Sequence, residues 1–114
     1  MASDLYKRGI FGFESSEFNE EINGFIDRKV AGLIFFKRNY QSLDQVRKLN
    51  EEILLRANDD FILSIDQEGG RVRRLPEPFC RLTPMLELTK RFSDKDLVHE
   101  IFCRHGLQLR MLGF

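Results

Sequence analysis

The chain has 114 residues, and its 18 Lys and Arg residues are balanced by 18 Asp and Glu residues. A content of 42% hydrophobic and 32% charged residues is typical of a globular protein and excludes a disordered or fibrous chain. Zero net charge gives no electrostatic basis for binding nucleic acid, and no run approaches the roughly 20 apolar residues that span a membrane. We therefore predict neither a nucleic-acid partner nor a membrane partner.

The first half of the chain alternates predicted strands with predicted helices. In chain order these are a strand at 9–13, a helix at 17–28, a strand at 31–36, a helix at 42–56 and a strand at 61–65. The helices carry apolar residues at helical spacing, and Ser42 and Gln45 form a capping box at the start of the second helix. The apolar run 31–36 is continuous, which is typical of a strand buried on both faces of a parallel sheet.

Two further helices are predicted after residue 82. Thr83 and Pro84 are suited to the N-cap and first position of a short helix, residues 93–96 cap the last helix, and Gly113 ends it. The alternation predicts an α/β fold with parallel strands and right-handed crossovers. Three strands do not distinguish an open doubly wound sheet from an arc of a closed barrel.

The two cysteines give no indication of a disulfide or a metal site. Cys80 and Cys103 are far apart in sequence and have no His or Cys companions at metal-binding spacing. The first eight residues are polar and lack the apolar core of a signal peptide. We expect a cytoplasmic protein with two reduced thiols that have no functional role.

The segment with the most functional side chains is 66–75, Asp-Gln-Glu-Gly-Gly-Arg-Val-Arg-Arg-Leu, directly after the third strand. Ligand sites of α/β folds lie at the carboxyl ends of parallel strands. Asp66 can accept hydrogen bonds from two vicinal hydroxyls, and the glycine pair lets the backbone approach a ligand. Arg71 and Arg74 offer donors for ligand oxygens. The pattern favours a sugar- or anion-binding loop; the alternative is a solvated loop with surface ion pairs.

The string 65–75 closely resembles the signature of family 3 glycoside hydrolases, in particular their β-N-acetylglucosaminidase branch. Four other segments resemble the same family in order and spacing, with Thr83 standing where a proline is common. They are 12–14 (first strand and turn), 30–39 (second strand and its loop), 79–85, and 106–113 (the helix end before a fourth strand). The resemblance therefore extends over nearly the whole chain.

This resemblance implies the N-terminal portion of a (β/α)₈ TIM barrel, about three to four βα units out of a barrel of roughly 250 residues. It implies a domain at 1–114 that stops before the fourth strand and lacks the C-terminal part of the barrel. In the family, the residue at Asp66 binds sugar hydroxyls and the one at Arg74 lines the same pocket. Arg71 is a weaker candidate for substrate binding, and neither Glu68 nor Arg73 is assigned a role in binding.

The implied reaction is the removal of terminal N-acetylglucosamine with retention of configuration. Its substrate would be a small saccharide or muropeptide, during peptidoglycan recycling in the bacterial cytoplasm, and a covalent sugar intermediate requires no metal or organic cofactor. The family's Lys-His-Phe-Pro-Gly-His motif, acid/base histidine and aspartate nucleophile have no match in the chain. His99 and His105 lie inside the last predicted helix, where we expect packed or solvated side chains. We therefore expect no catalytic residue in this chain, and no activity from the chain alone.

Three alternatives remain at the level of the sequence. The chain could be a non-catalytic half-barrel that binds a saccharide or a complementary fragment, because the binding residues are present without a nucleophile. It could be a β-glucosidase-type member of the family, although the sequence Gln-Glu-Gly-Gly at 67–70 favours the N-acetylglucosaminidase branch. An open sheet that binds phosphate at Gly69 and Gly70 is the third, but it lacks Gly-x-Gly-x-x-Gly and a P-loop lysine.

Overall fold

The computed structural model describes residues 2–79 and 81–114, so that Cys80 lies outside the described residues. The elements in chain order are α1 (Ala2–Tyr6), β1 (Ile10–Gly12), α2 (Glu20–Asp27), β2 (Gly32–Phe35), a 3₁₀ turn (Lys37–Asn39), α3 (Leu43–Arg56), β3 (Ile62–Ile65), α4 (Met85–Arg91) and α5 (Lys95–Met111). All the predicted strands and helices are present. The additional helix is α1, which has five residues and is too short to show an apolar periodicity.

The three strands form one parallel sheet in the order β1-β2-β3. Gly32 at the start of β2 pairs with Ile10 on one side and with Ile62 on the other. A Cβ atom at Gly32 would lie 2.1 Å from the carbonyl oxygen of Ile62, so the close approach of β2 to β3 depends on this glycine. The prediction of an α/β fold with parallel strands is confirmed.

The sheet has one covered face and one open face. Successive residues of a strand point to opposite faces, so alternate residues share the same surroundings. The covered face packs against the helices through Phe11, Leu33, Phe35, Leu63 and Ile65. On the open face, Ile10 and Ile62 are 44% and 48% exposed. The continuous run 31–36 predicted burial on both faces of its strand. In β2, Gly32, Leu33 and Phe35 are buried and Ile34 is partly buried, so this strand is largely covered, whereas the open-face residues at the starts of its two neighbours are not.

The helix starts differ slightly from prediction. The capping box is confirmed: the Ser42 hydroxyl accepts from the Gln45 amide at 3.1 Å. In α2 the cap is Asn19, whose side chain accepts from the backbone of Ile22, so the helix begins later than predicted. In α5 the cap lies within 93–96 as predicted: the Asp94 carboxylate accepts from two backbone amides. By contrast, α4 begins after Pro84 rather than at it.

The carboxyl end of α5 is anchored to the rest of the fold. Asn50 of α3 is fully buried and donates to the carbonyl of Leu112 at 2.8 Å. Gly113 has the positive φ of +92° that ends the helix as predicted. Beyond it, the Phe114 ring packs edge-on against Phe35 at a centroid distance of 5.1 Å. Within the described part of the chain, no helix is long and apolar enough to cross a membrane.

The two histidines of α5 have different surroundings. His105 is 6% exposed and packs edge-on against Phe79, with ring centroids 5.3 Å apart. Neither of its ring nitrogens has a hydrogen-bond partner among the described residues, and desolvation by burial lowers the pKa of His105. His99 is exposed, with its Nε2 atom 3.3 Å from Sγ of Cys103. His105 is therefore a packed side chain and His99 a solvated one.

We predict that His105 makes the free energy of unfolding depend on pH just below neutrality. The lowered pKa means that the unfolded chain binds a proton in the window below 6.5 in which the folded chain does not. Stability is therefore full above this window and falls as the pH decreases through it. In urea unfolding at a series of pH values, His105→Leu should flatten this slope, whereas His99→Leu should keep it. Equal slopes in both variants would contradict the prediction.

Candidate functional site

Polar and aromatic side chains gather where the three strands end. Glu14, Phe36 and Asp66 follow β1, β2 and β3, respectively. Each lies two residues after an open-face residue of its strand, and therefore on the same side of the sheet. Arg38 and Arg74, from the segments that follow β2 and β3, contact them. We refer to these five residues as the strand-end cluster. Its position at the carboxyl edge of a parallel sheet is the usual location of an α/β ligand site.

Asp66 and Arg74 form the ion pair of the strand-end cluster. Nη2 of Arg74 lies 3.4 Å from Oδ2 of Asp66, and the two side chains are 27% and 34% exposed, respectively. This distance is long for a charge-assisted hydrogen bond. In addition, Nε of Arg74 is buried and has no hydrogen-bond partner among the described residues. The pair is therefore aligned but weakly bonded, and part of its hydrogen-bonding capacity is unused.

The ring of Phe36 contacts both arginines of the cluster. The guanidinium carbon of Arg38 lies 5.0 Å from the ring centroid, and that of Arg74 lies 5.4 Å from it. Both distances are within the range of a cation–π contact. Arg38 also donates from Nε to the carbonyl of Phe13 at 2.9 Å and pairs with Glu14 at 3.3 Å. Phe36 thus connects the segments that follow all three strands.

A buried asparagine fastens the segments after β1 and β2 to each other. Asn39 is fully buried and donates from Nδ2 to the carbonyls of Phe13 and Ser15, at 3.0 and 2.8 Å. Its Oδ1 atom accepts from the backbone of Phe36 at 2.8 Å. Because every polar atom of this side chain is used, removing it would leave buried backbone groups unpaired. Asn39 therefore holds the backbone of Phe36 in position relative to the segment after β1.

The loop after β3 turns sharply at the glycine pair, as predicted. The amide of Gly69 donates to the carbonyl of Val72, and the amide of Gly70 donates to the carbonyl of Leu82, both at 3.1 Å. Gly69 and Gly70 have φ values of +89° and +58°, which other residues rarely adopt. The turn brings the chain back so that Arg74 lies opposite Asp66.

The structure separates the three predicted binding residues. Asp66 and Arg74 lie together, whereas Arg71 is exposed at the turn and has no contact with the strand-end cluster among the described residues. No role for Phe36 or Arg38 could be predicted from the sequence, because their proximity to Asp66 depends on how β2 pairs with β3. No group of three or more metal-binding side chains occurs in 2–79 and 81–114.

A separate cleft of about 450 Å³ lies beside α3. Its lining includes Ser16, Phe18, Gln41, Gln45 and Lys48, and none of the strand-end cluster. The amides of Gln41 and Gln45 already donate to Ser16. Its polar side chains thus serve to hold the segment after β1 against α3.

The strand-end cluster combines a carboxylate, two guanidinium groups and a phenyl ring. A carboxylate accepts from vicinal hydroxyls, guanidinium groups donate to hydroxyl and carbonyl oxygens, and an aromatic ring covers apolar faces. The fold and the cluster together define an α/β protein with a candidate polar ligand site at the carboxyl ends of its parallel strands.

Comparison with known proteins is consistent with this class. No protein-family model matches the chain. A protein named Beta-hexosaminidase from Neisseria gonorrhoeae (strain ATCC 700825 / FA 1090) is 38% identical over 77 residues, which cover 68% of this chain and 21% of the relative. The protein of the same name from Nitrosospira multiformis is 38% identical over 89 residues, 74% of this chain and 26% of the relative. The chain therefore spans about a quarter or less of the length of these curated relatives.

Solved structures extend the match to nearly the whole chain. A glycoside hydrolase family 3 β-N-acetylglucosaminidase from Paenibacillus sp. str. FPU-7 superposes with a TM-score of 0.86 at 29% identity, over 98% of this chain and 22% of that one. NagZ from Neisseria gonorrhoeae in complex with N-trifluoroacetyl-D-glucosamine superposes with a TM-score of 0.65 at 31% identity, and the match covers 93% of this chain and 32% of that one. The chain belongs to glycoside hydrolase family 3 and matches its N-terminal part.

We predict that Gly69→Ala opens the loop that carries Arg74. A Cβ atom at this position would lie 2.6 Å from the carbonyl oxygen of Leu82, and φ is +89°. We expect a loss of about 2 kcal/mol in local stability, seen as faster hydrogen exchange of the Gly70 amide.

The matched control is Gly106→Ala in α5, where an added Cβ meets nothing within 4 Å. This change should leave the loop unaffected and stabilise the helix by roughly 0.5–1 kcal/mol in urea unfolding. A Gly69→Ala variant with the exchange rates of Gly106→Ala would show that the turn does not require glycine.

Proposed function

We propose that the chain supplies part of the saccharide-binding subsite of a retaining β-N-acetylglucosaminidase. The observation that carries this proposal is the partly exposed Asp66–Arg74 pair at the carboxyl end of β3. Its support from relatives is their name, Beta-hexosaminidase, and the NagZ structure solved with a glucosamine derivative. The substrate class is a terminal N-acetylglucosamine on peptidoglycan-derived muropeptides or related β-glycosides, processed in the cytoplasm.

The binding roles follow from the chemistry of each side chain. The Asp66 carboxylate accepts hydrogen bonds from two neighbouring sugar hydroxyls, because only one of its oxygens contacts Arg74 in the described structure. The guanidinium group of Arg74 donates to a ring hydroxyl and balances the carboxylate charge. Arg71 is exposed and reaches the ligand only from the outer side of the turn, which gives it a secondary role.

The scaffold of this site would be the first βα units of a (β/α)₈ barrel. The free edge of β3 is available to pair with a further parallel strand, and half-exposed Ile10 and Ile62 lie on the face that a barrel interior would cover. An uncovered strand edge of this kind is a site for pairing with another chain segment. The C-terminal part of the barrel is therefore the partner that we propose for residues 1–114.

Catalysis would depend on groups outside this chain. A retaining glycosidase needs a nucleophile on one side of the scissile bond and an acid/base group close by. Asp66 is already engaged with Arg74, and His105 is packed inside the fold with Phe79. The covalent glycosyl-enzyme would form on an aspartate of the remaining barrel, and this route requires no metal or organic cofactor.

A second candidate is a non-catalytic module that binds saccharide. It is favoured by the fact that Asp66, Arg74 and the turn that aligns them all come from one continuous segment, 66–75. Such a module would hold a sugar without cleaving it. The two candidates differ in whether activity is gained when a complementary half-barrel is added.

We predict that the chain alone does not hydrolyse a chromogenic N-acetylglucosaminide. The expected result is no release of the chromophore above the buffer rate, because the nucleophile and acid/base are missing. Adding residues from the C-terminal half of a family 3 barrel in trans should restore turnover if the chain is part of an enzyme. Turnover by the chain alone would contradict the proposal, and binding without restored turnover would favour the second candidate.

We also predict that Asp66→Asn weakens the binding of N-acetylglucosamine by about tenfold, since a charged acceptor is replaced by a neutral one. The measurement is a titration followed by amide chemical shifts. Asp59→Asn, in the exposed segment before β3, is the matched control and should bind as the wild type does. Equal affinities for the two variants would exclude Asp66 from the saccharide site.

A further inference from the structure

Gln67 joins the end of β3 to the far side of the loop. Its Oε1 atom accepts from the backbone amides of Arg74 and Leu75, at 2.7 and 3.2 Å. Its Nε2 atom lies 3.5 Å from the carbonyl of Leu75, at the limit of a hydrogen bond. The carboxamide thus pairs with residues 74–75 as a neighbouring strand would, at a point where no strand is present.

This pairing acts on the residue that the proposed saccharide site uses. One of the two backbone amides that Gln67 binds is that of Arg74, whose guanidinium group contacts both Asp66 and the Phe36 ring. Leu75 is fully buried, so the backbone at 74–75 is held from both the core side and the Gln67 side. Fixing the backbone here limits the directions in which the long Arg74 side chain can extend.

We propose that Gln67 is a positioning residue of the saccharide site, which holds Arg74 opposite Asp66. The inference rests on the proposed function, because it assigns a role within the same subsite. Gln67 itself does not contact the ligand; its oxygen and nitrogen are directed at the backbone of 74–75. A glutamine suits this task because a neutral amide carries both an acceptor and a donor, and it adds no charge beside Asp66.

The test compares two variants of nearly equal size. Gln67→Met removes both accepted bonds, whereas Gln67→Glu keeps the acceptor oxygens. Gln41→Met is the control, since Gln41 lies in the α3 cleft away from the strand-end cluster. Gln67→Asn, whose side chain is one methylene shorter, is a second loss variant if Gln67→Met does not fold.

Two readouts need no saccharide. One is hydrogen exchange at the amides of Arg74 and Leu75, which should accelerate by about tenfold or more in Gln67→Met. The other is the ring-current shift of the Arg74 side-chain protons, which Phe36 produces and which Phe36→Leu calibrates. This shift should decrease in Gln67→Met and remain in Gln67→Glu and Gln41→Met. The third readout is the affinity for N-acetylglucosamine, which should fall by about tenfold in Gln67→Met alone.

The outcomes separate this inference from the proposed function. Arg74 signals that move in Gln67→Met and recover in Gln67→Glu, together with the same order of affinities, support the inference. Arg74 signals that stay unchanged in Gln67→Met overturn it, whatever happens to binding. A wild-type chain that binds no saccharide contradicts the proposed function, whereas the Arg74 signals still decide whether Gln67 positions the guanidinium group.

Discussion

The alternation of β2 is the constraint on which both the core and the site depend. Leu33 and Phe35 point to the helices and are almost completely buried, whereas Gly32, Ile34 and Phe36 follow the opposite face. Because β2 is paired on both sides, its register places Glu14 and Asp66 at the same edge as Phe36. Shifting either pairing by one residue would turn the site residues toward the helices, so that core packing and site geometry are specified by the same ladder.

Beyond the carboxyl ends of the strands, two neutral carboxamide side chains form hydrogen bonds with the backbone, as strand pairing does within the sheet. Asn39 links the segments after β1 and β2, and Gln67 links the end of β3 to the returning loop. Each satisfies backbone groups that would otherwise be unpaired in a partly buried place. A charged side chain could make some of these bonds, but burying it would cost far more than burying an amide. The two arginines of the cluster are therefore left to interact with Phe36, with carboxylates and with solvent.

The sequence was sufficient for the elements and for only part of the site. Apolar runs and the Ser42 capping box predicted β1 to β3 and α3 because these signals are local. Asp66 and Arg74 could also be named as candidates, since they come from one segment that turns at its glycines, and their binding role stays a prediction. Phe36 and Arg38 were not, because their contact with Arg74 depends on pairing between strands about 30 residues apart in sequence. The burial predicted for 31–36 agrees with the largely buried β2, but the half-exposed Ile10 and Ile62 beside it were not predictable, because an apolar run does not reveal what covers it.

The open face also limits what the strand-end cluster can do in this chain. Pockets for small ligands generally bury about 70–90% of the ligand surface, but under the proposed function Asp66 and Arg74 would contact a sugar from one side only, and Ile10 and Ile62 beneath them remain half exposed. Water on the other side competes for every sugar hydroxyl and weakens each hydrogen bond through its high dielectric constant. Under the proposed function, weak recognition is therefore the expected behaviour of this half of the site. Covering the open face would raise affinity even if no new residue touched the sugar, because it would remove the competing water.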